Sequence, residues 1–173
     1  MLSPMLRTAG KEGCLRIGVI ASILLFTLAC CLPAVESGRG ISLPENGQMQ
    51  VISSHTQTVR GAAELAGGWI GILGGVVTWY ANPFWALAVL FAFLRMRITA
   101  AVLGMISTAI GCTVFLLVGR ELSGGDEGGV TTQTIVRLLP GCYLWLASLA
   151  AVPLAAGIEG RAALRQRKLS SEQ

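Results

Sequence analysis

The class of this protein is decided by residues 98–119, ITAAVLGMISTAIGCTVFLLVG, in which 22 consecutive positions carry no charged side chain. As an α-helix, such a stretch is long enough to cross a hydrocarbon core of about 30 Å. Three more uncharged apolar stretches flank it, at residues 17–35, 79–94 and 138–158. The sequence therefore predicts an all-α integral membrane protein with a four-span helical bundle.

The composition agrees with a membrane protein and excludes other classes. Hydrophobic residues make up 53% of the 173 residues and charged residues 13%, against about a quarter in ordinary soluble domains. The mean hydropathy is +0.67. A disordered chain would be poor in apolar residues, and a soluble enzyme would not expose such long apolar runs. The net charge of +4 comes from basic residues scattered between apolar runs, so we expect no nucleic-acid partner.

The polar segments between the spans divide into two sides of the membrane. Residues 36–78 are predicted to form an extracytoplasmic loop that ends in a Gly-rich helix near 59–77, lying at the membrane interface. The alternative is one tilted, kinked span over the whole apolar region of residues 65–94. A short strand or hairpin at 49–53 is a weaker possibility, because apolar and polar residues alternate there. Residues 120–137 contain SGGDEGG and predict a flexible second outer loop.

The distribution of charge predicts the orientation. Residues 1–16, the turn at 95–97 and the tail at 159–173 carry nine of the 13 basic residues. Positive charge favours the cytoplasmic side, so both termini are predicted to lie inside. The basic residues assigned to topology and to anionic lipid are Arg95, Arg97, Arg161, Arg165, Arg167 and Lys168.

Aromatic residues give a second, independent indication of the same orientation. All the Trp and Tyr residues fall toward the predicted outer ends of their segments, where amphipathic rings favour the headgroup region. These expected interfacial anchors are Trp69, Trp79, Tyr80, Trp85, Tyr143 and Trp145. Asn82 joins them as the predicted N-cap of the second span, with Pro83 in its first turn.

The first apolar run has three interpretations. An uncleaved membrane anchor over residues 17–35 is preferred, because its apolar core exceeds the usual length of a signal peptide. Small residues before Cys30 and Cys31 leave a lipoprotein signal as an alternative, and ordinary cleavage is the third.

A ladder of glycines provides the most regular motif. Gly67, Gly71 and Gly75 recur every four residues and would lie on one helix face, which allows another helix to approach closely. This face is predicted to pack against a helix, either of a partner or of the protein's own spans; simple flexibility at the interface is the remaining interpretation. Two further small-residue faces, at 104/107/111 and 147/151/155, are expected to pack the bundle itself.

The absence of ionisable residues from the predicted spans argues against several classes of membrane protein. The four predicted spans contain no Asp, Glu, Lys, Arg or His, and such residues mark proton relays, ion paths and charged-substrate sites. His55 is the only histidine, so neither a metal site, a cofactor nor a catalytic residue is predicted.

The layout is typical of small bacterial inner-membrane proteins rich in Gly, Ala and Leu. The preferred function is that of a non-catalytic accessory or regulatory subunit in the inner (cytoplasmic) membrane, bound to a membrane-protein partner or to itself. The alternatives are a homo-oligomeric, holin-like pore and an immunity-type protein that binds an outer-surface ligand through residues 36–66.

Overall fold

The computed structural model describes residues 13–45, 48–70, 76–123 and 131–171. Helices form most of this part of the chain, and a four-stranded sheet forms the rest of the regular structure. The helices are α1 (Gly13–Cys31), α2 (Gly61–Gly67), α3 (Ala81–Phe93), α4 (Arg97–Cys112) and α5 (Pro140–Ser171). The strands are β1 (Pro33–Glu45), β2 (Gln48–Arg60), β3 (Glu121–Ser123) and β4 (Thr131–Leu138).

Three helical segments of the described chain are long and apolar enough to cross a membrane. They are Cys14–Cys31, Arg97–Leu116 and Pro140–Ala162, and they overlap three of the four predicted spans, at 17–35, 98–119 and 138–158. The second of them includes a 3₁₀ extension of α4 at Thr113–Leu116. The remaining run contains α3, whose 13 residues measure only about 20 Å.

The helices pack through small residues. Helix α1 lies against α5, and α4 lies between α3 and α5. Gly18 of α1 faces Ala155, and a Cβ atom at Gly104 of α4 would lie 2.7 Å from the Pro153 ring of α5. Gly104, Ser107 and Gly111 are all buried on one face of α4. The predicted packing role of this face is confirmed.

The sheet was not predicted, and the all-α class was wrong in this respect. Its strands are antiparallel in the order β2-β1-β4-β3. Residues 36–45 and 48–60, predicted as a loop with a weakly indicated strand or hairpin at 49–53, instead belong to two 13-residue strands. Strand β1 pairs with β4 about 100 residues away, for example Val35 with Leu138. Such pairing depends on the helices that bring the two segments together, so no local sequence pattern predicts it.

Other boundaries differ from the sequence predictions for local reasons. Helix α1 ends at Cys31 because Pro33 already begins β1. The helix predicted near 59–77 is replaced by the end of β2 and by the short α2, while residues 71–75 lie outside the described part. Helix α5 continues to Ser171, where a basic tail was predicted. The Ala, Leu, Arg and Gln residues of this tail have high helix propensity, so α5 continues beyond its apolar first part.

The helices bring the sheet to one end of the bundle. The amide of Leu139 donates to the Ala34 carbonyl at 2.8 Å, and the amide of Gly61 donates to the Leu32 carbonyl at 3.1 Å. We call this the sheet end. At the opposite end, Arg97 Nη1 lies 3.3 Å from Glu159 Oε2, and the Leu15 amide donates to Glu159 Oε1 at 2.7 Å. We call this the basic end.

Candidate functional site at the sheet end

A cavity of about 760 Å³ lies where the sheet meets the helices, a volume within the range of small-molecule sites. Aromatic and aliphatic side chains, including Phe26, Trp79 and Trp145, supply most of its wall. The polar side chains on its wall belong to Ser37, Arg39, Glu64, Thr78, Asn82 and Gln133.

Glu64 is the acidic residue among these lining residues. It follows β2 on α2 and keeps accessible surface, because it borders the open cavity rather than a packed core. The protein atoms around its carboxyl nevertheless remove enough water to raise the pKa of Glu64 above the ordinary value of a glutamate. The Cys142 thiol at the start of α5 lies within electrostatic range of this carboxyl. The cavity therefore combines apolar walls with one carboxyl that holds its proton more readily than usual.

Asn82 and Trp145 form one side of the cavity. The indole N–H of Trp145 donates to Asn82 Oδ1 at 2.9 Å. Asn82 was predicted to cap α3, but the helix begins at Ala81, and its N-cap residue is Tyr80, without a side-chain cap. The amide oxygen is used by Trp145 instead, which joins the start of α3 to α5. Pro83 lies in the first turn as predicted.

Trp79 and Tyr80 lie in the 3₁₀ turn Thr78–Tyr80 that precedes α3. The Trp79 indole N–H donates to the Leu65 carbonyl at 2.8 Å, and its ring packs on Gly68, where a Cβ atom would clash with it. Trp79 and Tyr80 meet edge to face, with ring centroids 5.6 Å apart. These contacts hold α2 over the cavity.

The remaining predicted anchors differ in exposure. Trp85 is half-buried, and its ring stacks on Phe26 at a centroid distance of 4.1 Å. Trp69 and Tyr143 expose 56% and 54% of their surfaces, so these two side chains are the most available to a lipid headgroup region. Interfacial anchoring by these residues stays a prediction.

The glycine ladder is only partly placed. A Cβ atom at Gly67 would meet nothing within 4 Å, so this glycine does not serve close packing within the described chain. Gly71 and Gly75 lie outside the described residues. The docking face predicted from these three glycines stays a prediction.

At the basic end, sequence analysis missed Glu159. This residue is only 7% exposed, although it lies one position beyond the predicted fourth span. It follows the buried Val152 and Ala155 at helical spacing, and that periodicity was the available signal. Arg161 and Arg165 are exposed. Arg167 and Lys168 belong to α5, but only their backbone is described.

The described residues show no metal-binding constellation. Within 13–45, 48–70, 76–123 and 131–171, no three His, Cys, Asp or Glu residues are grouped closely enough to hold a metal ion. His55 lies exposed on β2. The cavity, with its apolar wall and single carboxyl, has the composition of a binding site.

Comparison of the chain with known protein families, with characterised proteins and with solved structures finds no match.

Proposed function

We propose that this chain is a non-catalytic, four-span protein of the bacterial inner membrane that acts as an accessory or regulatory subunit of a membrane complex. The observation that carries the proposal is the long edge of the sheet outside the helical bundle, at which, within the described residues, β2 pairs with β1 alone. Strand β2 is 13 residues long and lies at the edge in the order β2-β1-β4-β3. An unpaired edge of this kind is a template for a strand from another protein.

The crossing count follows from the two ends of the molecule. Arg60 pairs with Pro33 at the sheet end, whereas Arg97 pairs with Glu159 at the basic end. The chain between Arg60 and Arg97 must therefore pass from one end of the bundle to the other. Helix α3 supplies about 20 Å of that path, from Asn82 at the sheet-end cavity to Arg95 at the basic end, so the segment that passes along the bundle is residues 81–95. If the three long helices cross the membrane, this segment is the fourth crossing.

The orientation rests on the same two ends. Arg16, Arg95 and Arg97 border one cavity at the basic end, and Arg161 continues on α5 beyond Glu159. Positive charge favours the cytoplasmic face, so the sheet is extracytoplasmic and both termini are cytoplasmic.

Labelling of single cysteines tests this topology. In a background with the five native cysteines replaced, His55→Cys on β2 is expected to react with a membrane-impermeant maleimide in intact spheroplasts. Arg161→Cys is expected to react only after permeabilisation. Labelling of both variants from outside would contradict the four-span, both-termini-inside arrangement.

The backbone geometry identifies the open hydrogen-bonding groups of β2. The Gln57 carbonyl faces β1, because it accepts a hydrogen bond from Ser37 Oγ at 3.4 Å. Backbone groups of successive strand residues point to opposite sides. Those of Thr56 and Thr58 are therefore directed to the open edge, where a partner strand would bind.

Purification in mild detergent tests docking at this edge. Thr56→Pro removes one outward N–H, whereas Thr56→Val retains it and keeps a β-branched side chain. We expect a stoichiometric partner to co-purify with the wild-type and Thr56→Val proteins and to be lost from Thr56→Pro. Retention by all three would contradict edge docking. Gly67→Ile tests the glycine face in the same assay, and loss of the partner there alone would move the contact to that face.

The pore alternative receives less support. The polar side chains that could line a pore are already bonded within one chain. Thr78 and Thr113 share a hydrogen bond, Ser107 donates to the Ala81 carbonyl, and Thr108 donates to the Gly104 carbonyl. Tight vesicles in a dye-release assay are the expected result.

The cavity favours a second candidate function, namely recognition of an outer-surface ligand of the immunity type. It lies at the sheet end, and its wall includes β1, α2 and Glu64. Such a protein should lose protection or ligand binding when Ala63→Trp fills the cavity, and retain it in Ala62→Trp on the same helix. Equal protection or equal ligand binding by the two variants would exclude this candidate function.

A further inference from the structure

Three half-buried aromatic rings border the sheet-end cavity, those of Phe26, Trp79 and Trp145. The indole N–H of Trp79 is already used, since it donates to the Leu65 carbonyl at 2.8 Å. The indole N–H of Trp145 donates to Asn82 Oδ1 at 2.9 Å. Both indoles therefore offer a ligand ring surface rather than a hydrogen-bond donor. Aromatic ring surfaces attract cations as well as apolar groups.

Two hydroxyl groups on the cavity wall also direct their protons to protein acceptors. Thr113 Oγ1 donates its one proton to the Ile110 carbonyl at 2.6 Å. In the 2.9 Å bond between Thr113 and Thr78, the Thr78 hydroxyl is therefore the donor. Ser37 Oγ donates to the Gln57 carbonyl at 3.4 Å. These hydroxyls leave oxygen lone pairs for a ligand, and lone pairs favour a ligand that donates hydrogen bonds.

Two residues of opposite charge, Glu64 and Arg39, line different parts of the cavity. Glu64 belongs to the helix that begins where the sheet joins the bundle, and its carboxyl lies within electrostatic range of Cys142 at the start of α5. Arg39 is exposed on β1, six residues beyond Pro33, which is about 20 Å along a strand. The carboxyl is therefore the charge at the inner part of the cavity, and Arg39 lies at the outer rim.

The environment of the Glu64 carboxyl favours a positively charged ligand. Desolvation by the surrounding protein raises the pKa of Glu64, so its ionised form costs more free energy in the cavity than in water. A cationic group beside the carboxylate offsets that cost, whereas a neutral group does not. The aromatic rings act in the same direction, because they too attract a cation.

We propose that the sheet-end cavity binds a cationic amphiphile, that is, an apolar molecule that carries one ammonium group. The ammonium group pairs with Glu64, and the apolar body lies against the three aromatic rings. This inference rests on the second candidate function, in which the cavity is a ligand site, and it names the chemical class of the ligand. It requires no protein partner at the β2 edge.

Equilibrium dialysis of two matched probes, decylamine and decan-1-ol, tests the charge preference. The full chain is held in phosphatidylcholine nanodiscs, and empty nanodiscs correct for partition into lipid. An alkylammonium group resembles a lysine side chain, whose pKa is about 10.4, so decylamine is charged at pH 8 and decan-1-ol is not. We expect decylamine to bind about tenfold more tightly or better, because bonds to charged groups are the stronger ones.

Two acid-to-amide variants assign the preference to one carboxyl. Glu64→Gln should abolish the preference for decylamine and leave the binding of decan-1-ol unchanged. The matched control, Glu36→Gln, removes a carboxylate that pairs with Arg137 on the sheet and is not among the residues that line the cavity. It should keep the wild-type preference. A preference for decylamine that persists in Glu64→Gln would overturn the role of Glu64.

Filling the cavity separates this inference from the candidate function on which it rests. Ala63→Trp should abolish the binding of both probes, and Ala62→Trp should abolish neither. Equal affinity of the wild-type protein for the two probes, with both blocked by Ala63→Trp, would overturn the cationic preference and leave the cavity as a ligand site. Absence of binding, or binding that Ala63→Trp does not change, would overturn the inference and the ligand site together.

Discussion

The indole N–H of Trp85 in α3 donates to Ser22 Oγ in α1 at 2.8 Å. The same hydroxyl donates to the Ser148 carbonyl in α5 at 2.7 Å, and Ser22 is fully buried. One small polar side chain therefore joins three helices in the apolar part of the bundle. It also supplies the acceptor for the half-buried Trp85 indole.

Removal of this hydroxyl is expected to destabilise the bundle. Ser22→Ala leaves the Trp85 N–H without its acceptor, at a cost of about 1–3 kcal/mol in the free energy of unfolding. Trp85→Phe removes the donor and keeps an aromatic ring to stack on Phe26. The double variant should therefore lose less than the sum of the two single losses. Strictly additive losses in thermal or denaturant unfolding would contradict the direct bond.

Glu159 provides a second test, at the basic end. Glu159→Ala removes the acceptor of the Leu15 amide and the partner of Arg97, and should cost about 1–3 kcal/mol. Glu159→Gln keeps an oxygen for the Leu15 amide and should lose less. Arg161→Gln, on the exposed surface two residues further along, serves as the control and should change little. The melting temperature of the detergent-purified protein measures all three, and an unchanged Glu159→Ala protein would contradict the buried contact.

Glycine substitutions separate packing positions from open ones. A Cβ atom at Gly104 would lie 2.7 Å from Pro153 Cδ, so Gly104→Ala forces α4 and α5 apart and should cost about 1–3 kcal/mol. Gly67 has open space at the corresponding position, and Gly67→Ala should fold as stably as wild type. Comparison of the unfolding midpoints decides the matter. Equal destabilisation of both variants would show that Gly67 is packed.

Glu64 predicts a dependence of stability on pH. Desolvation raises the pKa of Glu64 in the folded protein, so the folded state holds this proton more tightly than the unfolded state does. The contribution of Glu64 to stability therefore falls as pH rises from the ordinary pKa of a glutamate through the raised value. Glu64→Gln should be more stable than wild type at pH 8 and equal to it at pH 4. A constant difference between these pH values would contradict the shifted pKa.

The sequence by itself determined the three long apolar helices and the packing face of α4. Exposure of the 22 uncharged residues 98–119 to water is unfavourable however the rest of the chain folds. Gly104, Ser107 and Gly111 recur at helical spacing, which places them on one face of α4. Both properties are local, so they are visible without knowledge of the neighbours. The clustering of basic residues in the segments between spans is equally a property of the sequence.

Only the tertiary structure decided the sheet and the placement of the polar groups. Strands β1 and β4 are about 100 residues apart in sequence, and they pair because the end of α1 lies beside the start of α5, where the Leu139 amide donates to the Ala34 carbonyl. Asn82 would cap a helix in isolation, but its oxygen binds Trp145 because α5 passes the start of α3. In the sequence, Glu159 is an acidic residue directly after an apolar run, which gives no indication of burial. It is buried because the first turns of α1 and α4 pack against it, through Leu15 and Arg97. In each case the partner is distant in sequence, so its identity depends on how the helices pack.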